Sequence, residues 1–177
     1  MQGETKGFQS VPEDGPGMKM VEVTLAPPDG YQVIVGQAHF IKTVDDLYEA
    51  LVTSMPGIKF GVAFCEASGK ALVRYDGSDE KSTGMARDFA AELGAGHSFV
   101  VVLSGSFPIN VLNRIKAVEE VTGIYCATAN PVTIVLGQTD AGRGILGVVD
   151  GVSPKGVEDG SQKEERKAFL RKLGYKR

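Results

Sequence analysis

From Met18 to Ala26 apolar and polar residues alternate, the period of a half-buried strand. Pro27-Pro28-Asp29-Gly30 is a turn by composition, and Tyr31–Gly36 is a second strand placed to pair with the first as a hairpin. Then the period lengthens. Val44, Leu47, Tyr48 and Leu51 stand at i, i+3, i+4 and i+7, the apolar face of a helix that Thr43 can cap, with Asp45 and Asp46 in its first turn. Met55-Pro56-Gly57 ends it. Lys59–Ala67 is apolar enough for a central strand, Ser68-Gly69-Lys70 turns, and Ala71–Tyr75 returns as another strand. Asp76-Gly77-Ser78 opens a helix whose face is Met85, Ala86, Phe89, Ala90 and Leu93, and Gly94 ends it. Phe99–Leu103 is β-branched and apolar throughout, a strand buried on both faces. Pro108 suits the first turn of a short helix carrying Val111, Leu112 and Ile115, which Gly123 is expected to break. Ile124–Ala129, Val132–Gln138 and Gly144–Val149 are strands, and Gln162–Leu173 is a helix with Arg166, Phe169, Leu170 and Leu173 along one side.

Strands adjacent in pairs as well as strands separated by helices indicate an α+β class: a single compact domain with a mixed β-sheet flanked by helices. Residues 1–17, polar and interrupted by Gly and Pro, read as a flexible N-terminal extension, and 18–177 as the domain.

Composition narrows the function. A net charge of −3 gives no basic footprint for nucleic acid. No apolar run approaches a membrane span and the first residues lack the core of a secretory signal, so a cytoplasmic protein is expected. Cys65 and Cys126 lie in apolar strands without metal-ligand spacing, and read as buried thiols.

The glycine-rich approach to the buried strand, Gly94-Ala95-Gly96-His97-Ser98, is the leading candidate for chemistry. Freed backbone amides can bind phosphate, and His97 can transfer a proton, attack a phosphoryl group or ligate a metal; it can equally cap a turn. Phe107-Pro108-Ile109-Asn110-Val111-Leu112-Asn113 opens a helix whose N-terminus attracts anions. There Phe107 could stack on a base, and Asn110 and Asn113 are either ligand contacts or solvated helix residues. Asn130 ends a strand, where open sheets bind ligands, or is simply a turn residue before Pro131. Arg143, between Gly142 and Gly144, is either a phosphate fork or the charge at a hairpin tip. Asp150 follows an apolar strand and could hold a metal or a ribose hydroxyl. Glu66 and Arg74 lie on neighbouring strands as an ion pair or as catalytic groups, and His39 reads as structural. No Walker A loop occurs.

Several longer strings carry a resemblance: GQAHFIKTVDDLYEAL (36–51), GVAFCEASGKALVRYDG (61–77), GAGHSFVVVL (94–103), FPINVLNRIK (107–116), IYCATANPV (124–132), GRGILGVVDG (142–151) and RKAFLRKLGYK (166–176). Together they resemble the adenosine-specific kinases, a small conserved archaeal and bacterial domain. The resemblance implies a homo-oligomer built on trimers, binding of adenosine or AMP, and phosphoryl transfer associated with a phosphorylated histidine, as an intermediate or as a stable mark, for which GAGHSF nominates His97. Gly94, Gly96 and Arg143 would then supply donors for phosphate and Asn110, Asn113 and Asn130 would read an adenine edge or ribose, with Ser98, Phe107 and Gly144 also among the nucleotide-binding residues. ATP is the expected donor with Mg²⁺, which Asp150 or Glu66 would help to hold. The alternative is an oligomeric adenosine or AMP sensor that performs no chemistry.

Overall fold

The computed structural model describes residues 17–176, so the extension expected over 1–17 falls, apart from Gly17, outside the described residues. In chain order the elements are β1 (Lys19–Leu25), β2 (Tyr31–Ala38), α1 (Thr43–Val52), β3 (Lys59–Cys65), β4 (Val73–Gly77), α2 (Glu80–Leu93), β5 (Ser98–Ser104), α3 (Pro108–Lys116), β6 (Val121–Thr128), β7 (Val132–Thr139), β8 (Gly142–Asp150) and α4 (Gly160–Lys172). The α+β class holds. The expected mixed sheet, however, is two sheets of antiparallel ladders, one in the order β1-β7-β8 and one in the order β4-β3-β5-β2-β6.

The larger sheet explains the difference. Strand–helix–strand runs normally build parallel neighbours, but here each crossover skips one position. β2 and β3, joined by α1, flank β5; β5 and β6, joined by α3, flank β2. Each gap is filled by a strand of opposite direction, giving two interlocked split β-α-β units. The expected hairpin between β1 and β2 does not form either. β1 pairs residue for residue with β7, Leu25 opposite Val132, and β2 lies in the other sheet between β5 and β6. Pro27 and Pro28 carry the chain between sheets rather than back along one.

Two cores result. On one face of the larger sheet, Val33, Val35, Ala63, Val100 and Val102 pack against Ala86, Ala90 and Leu93 of α2 and against Val23, Ile134 and Leu136 of the small sheet. On the other, Ile34, Phe60, Phe64, Phe99 and Val101 pack against Leu47 and Leu51 of α1 and Val111 and Ile115 of α3. β5 serves both, which is why Phe99–Leu103 is wholly buried.

Several helices differ from the sequence reading at an end or on a face. Thr43 is the first helical residue of α1 rather than its cap; its hydroxyl donates to the Phe40 carbonyl and Lys42 is the N-cap. α2 begins at Glu80, not at Asp76-Gly77-Ser78, whose first two residues complete β4. α3 stops at Lys116, and Gly123 lies inside β6. In α4 none of the residues is buried, so its Phe169 side has no cover among the described residues.

Asp79 caps α2: its Oδ2 accepts from the Ser82 amide at 3.0 Å and the Ser82 hydroxyl at 2.7 Å. These bonds, the hydroxyl's first, hold its carboxyl below the ordinary value of 3.8. Asp79→Ala is therefore expected to cost about 1 kcal/mol near neutrality. Because the folded carboxyl is the stronger acid, this contribution is complete above pH 3.8 and fades as pH falls through the depressed value. Urea titrations of wild type and variant should converge on acidification.

Candidate active site

His97 sits in a left-handed backbone conformation, φ 62°, one of two described non-glycine residues with positive φ. The turn that requires it is Ala95-Gly96-His97-Ser98, closed by the Ser98 amide on the Ala95 carbonyl at 3.1 Å and by the Ser98 hydroxyl on the same oxygen at 2.7 Å. Positive φ at the third position of such a turn is normally given to Gly or Asn. Holding another residue there costs about 1–2 kcal/mol. Ladder bonds on both sides enforce the geometry: the His97 amide donates to the Cys65 carbonyl at 2.7 Å, and its carbonyl accepts from the Ala38 amide at 2.9 Å. The half-buried imidazole stacks on Phe64, ring centroids 5.8 Å apart and planes 13° from parallel. A ring fixed at its backbone and one face, with no side-chain hydrogen bond among those of the described residues, keeps its nitrogens for an incoming group.

Beside this turn a cleft of about 620 Å³ opens between the β3–β4 loop and the β7–β8 hairpin. Gly94, Gly96, Arg143, Gly144 and Glu66 line it, with Cys65, Ala67, Leu72 and Leu146 supplying apolar wall. Its size and largely apolar lining suit a small organic ligand. Gly94 is the left-handed C-cap of α2, as its position after the apolar face predicts. Gly96 is needed for closeness: a Cβ there would stand 3.0 Å from that of Ala67. Ser98 is 1% exposed and its hydroxyl closes the turn, so it holds His97 in place rather than facing a ligand.

Arg143 is largely engaged by the protein. Its Nη1 donates to the Glu92 and Leu93 carbonyls at the C-terminus of α2, at 3.2 and 3.4 Å, and its Nε donates to Gln138 at 2.9 Å. A cation on the last carbonyls of a helix is favourably placed against the dipole. Glu66 is likewise bound: its Oε2 accepts from the Leu72 amide at 3.2 Å and from Arg74 at 3.0 Å, which hold its carboxyl below the usual range.

The remaining candidates stand elsewhere. Phe107, Asn110 and Asn130 follow the opposite ends of β5 and β6, roughly 20 Å from His97 along the strand. Phe107 is 54% exposed; Asn110 Oδ1 accepts the Phe107 amide at 3.1 Å as a helix cap, and Asn113 is exposed on α3. Asp150 Oδ1 accepts from the Thr128 hydroxyl at 2.7 Å and from Asn130 Nδ2 at 3.0 Å, a network that ties β6 to β8. Within one chain, then, Asp150 and Glu66 cannot share a metal ion, and no group of three or more His, Cys, Asp or Glu among the described residues is arranged to hold one. Sequence reading missed Phe64 and the Cys65 carbonyl, because contact with His97 depends on β3 pairing with β5. Burial raises the Cys65 thiol and pushes Cys126 up to about 11, so both stay protonated at neutral pH. No described helix is long and apolar enough to cross a membrane.

No curated protein sequence matches the chain. The crystal structure of the PH1918 protein from Pyrococcus horikoshii is similar, with a TM-score of 0.87 and 42% identity over 90% of this chain and 99% of that one. The sequence profile of the family described as "Adenosine specific kinase" matches residues 23–176. That match takes in the His97 turn, the cleft and all but the first residues of the two sheets, and the chain belongs to the adenosine-specific kinase family.

Proposed function

We propose that the protein transfers a phosphoryl group to adenosine through His97. The observation that carries this reading is the imidazole itself: it is held at positive φ between two ladder bonds and stacked on Phe64, directly after Gly96, which lines an apolar cleft. Strain of this kind persists where surrounding structure over-determines it, and it gathers at functional sites. Adenosine occupies the cleft, with its 5′ end passing Gly96 round the end of the sheet to the His97 ring on the Phe64 face. A His97 nitrogen attacks the γ-phosphorus of ATP, forming the N–P bond as the bond to ADP breaks. The adenosine 5′-hydroxyl then attacks the phosphohistidine: its O–P bond forms as the N–P bond breaks, its proton passes to solvent water, and AMP and free His97 remain. Asn110, Asn113, Asn130 and Phe107 contact a nucleoside only if a second copy of the chain brings them to the His97 end, as a trimer-based assembly would allow. No group of three or more His, Cys, Asp or Glu among the described residues is arranged to hold Mg²⁺, which would enter bound to the ATP phosphates and offset their charge.

The test is incubation with adenosine and ATP labelled at the γ-phosphate. AMP should carry the label, and the protein should hold an acid-labile, base-stable label that His97→Asn lacks. A second reading, an adenosine or AMP sensor, draws on one observation: among the described residues no carboxylate is hydrogen-bonded to the His97 ring to orient it. Tight calorimetric binding of adenosine with no label in AMP or protein would select the sensor.

A further inference from the structure

Resting on the functional reading above, we infer that Arg74, not Arg143, is the guanidinium that grips the phosphate delivered to His97. Arg143 lines the cleft on the α2 side, and its Nε and Nη1 are bonded to Gln138 and to the end of α2. The imidazole is on the other face of the sheet, stacked on Phe64 in the core formed with α1 and α3.

Arg74 is on that face too. It stands directly opposite Phe64 in the β3–β4 ladder, so their Cβ atoms are neighbours. His97 and Arg74 thus flank the same aromatic ring, and Glu66, two residues beyond Phe64, stands opposite Leu72 on one side and level with His97 on the other. The guanidinium is fixed at one corner only, Nη2 on Glu66 Oε2 at 3.0 Å, while its Nε is buried without any partner. A buried donor without an acceptor is costly, and a guanidinium fork suits phosphate oxygens in pairs. A small turn about the Glu66 contact presents Nε and a terminal nitrogen to a phosphoryl group between Arg74 and His97. Asp45 and Asp76 line the recess on the far side of Arg74, and neither is bonded to it.

Calorimetry with AMP and with adenosine separates this role from a structural one. Arg74→Ala should weaken AMP by roughly 10- to 100-fold, as expected for lost hydrogen bonds to a charged group, and leave adenosine within about twofold. Glu66→Gln, which removes the competing negative charge, should hold or tighten AMP. Equal losses for both ligands in Arg74→Ala, or no loss for either, would overturn the assignment; so would weaker AMP binding in Glu66→Gln. If Arg74→Ala does not fold, Arg74→Lys carries the same test, keeping the charge without the fork. A wild type that binds neither ligand overturns the functional reading itself, and this inference with it.

Discussion

His97→Gly and His97→Ala should both lose phosphoryl transfer, by on the order of 10⁴-fold or more, yet differ in stability in an unusual order. At most positions glycine is the worse of the two, because the unfolded chain gains entropy. At φ 62° the order reverses: alanine carries the left-handed cost that histidine carries, and glycine does not. Both variants remove the stacking on Phe64, so their difference isolates the backbone cost. Glycine should come out more stable by about 1 kcal/mol, roughly 2–4 °C in melting temperature. Calorimetric melts and the label-transfer assay read the two effects separately. Glycine restoring activity would mean that the turn, rather than the imidazole, is what the reaction needs. Alanine more stable than glycine would mean that the native backbone is not held at positive φ.

Gly61→Ala should destabilise the fold by about 3 kcal/mol, lowering the melting temperature by roughly 6–12 °C. α2 lies directly on β3 at this point. A Cβ at Gly61 would stand 2.3 Å from the Ser82 carbonyl oxygen and 2.4 Å from the Thr83 Cα, both helix backbone. Neither can yield as a flexible side chain would, so the helix must lift away from Ala63 and Cys65. The displacement would reach the site, since α2 ends at Gly94 and the His97 turn follows at once. Gly84→Ala, in the middle of the same helix with nothing within 4 Å of the added carbon, should instead gain about 0.5–1 kcal/mol. Denaturant titration of the pair is the check, and a loss below about 1 kcal/mol for Gly61→Ala would show that β3 and α2 are not in the contact described.

Local pattern placed nearly every element. Alternation marked β1, the i, i+3, i+4, i+7 spacing marked α1, and the unbroken apolar run marked β5 as buried on both faces, because burial and side-chain direction are written into residue spacing. GAGHSF marked His97 and its flanking glycines for the same reason: a backbone that must turn tightly needs Gly nearby. Helix starts were harder, since several polar residues compete to cap each one, as Asp76, Ser78 and Asp79 do before α2.

Pairing was not legible. The proline turn after Leu25 reads as a hairpin, and only the match of β1 to β7 across the core sends it to another sheet. The same limit governs the site. Spacing gave Arg143, Asn130 and Asp150 the residue types of a binding site, but the fold ties Arg143 to the end of α2 and sets Asn130 and Asp150 at the other end of the strands. It also places Phe64 under His97 and Arg74 beside Phe64. Residue spacing along the chain was enough to mark the buried central strand, most of the helices and strands, and a histidine set among glycines. These depend on contacts a few residues long. Which strands are neighbours, which face the imidazole takes and which arginine shares that face were decided only by the tertiary structure, because each depends on the register between strands far apart in the chain.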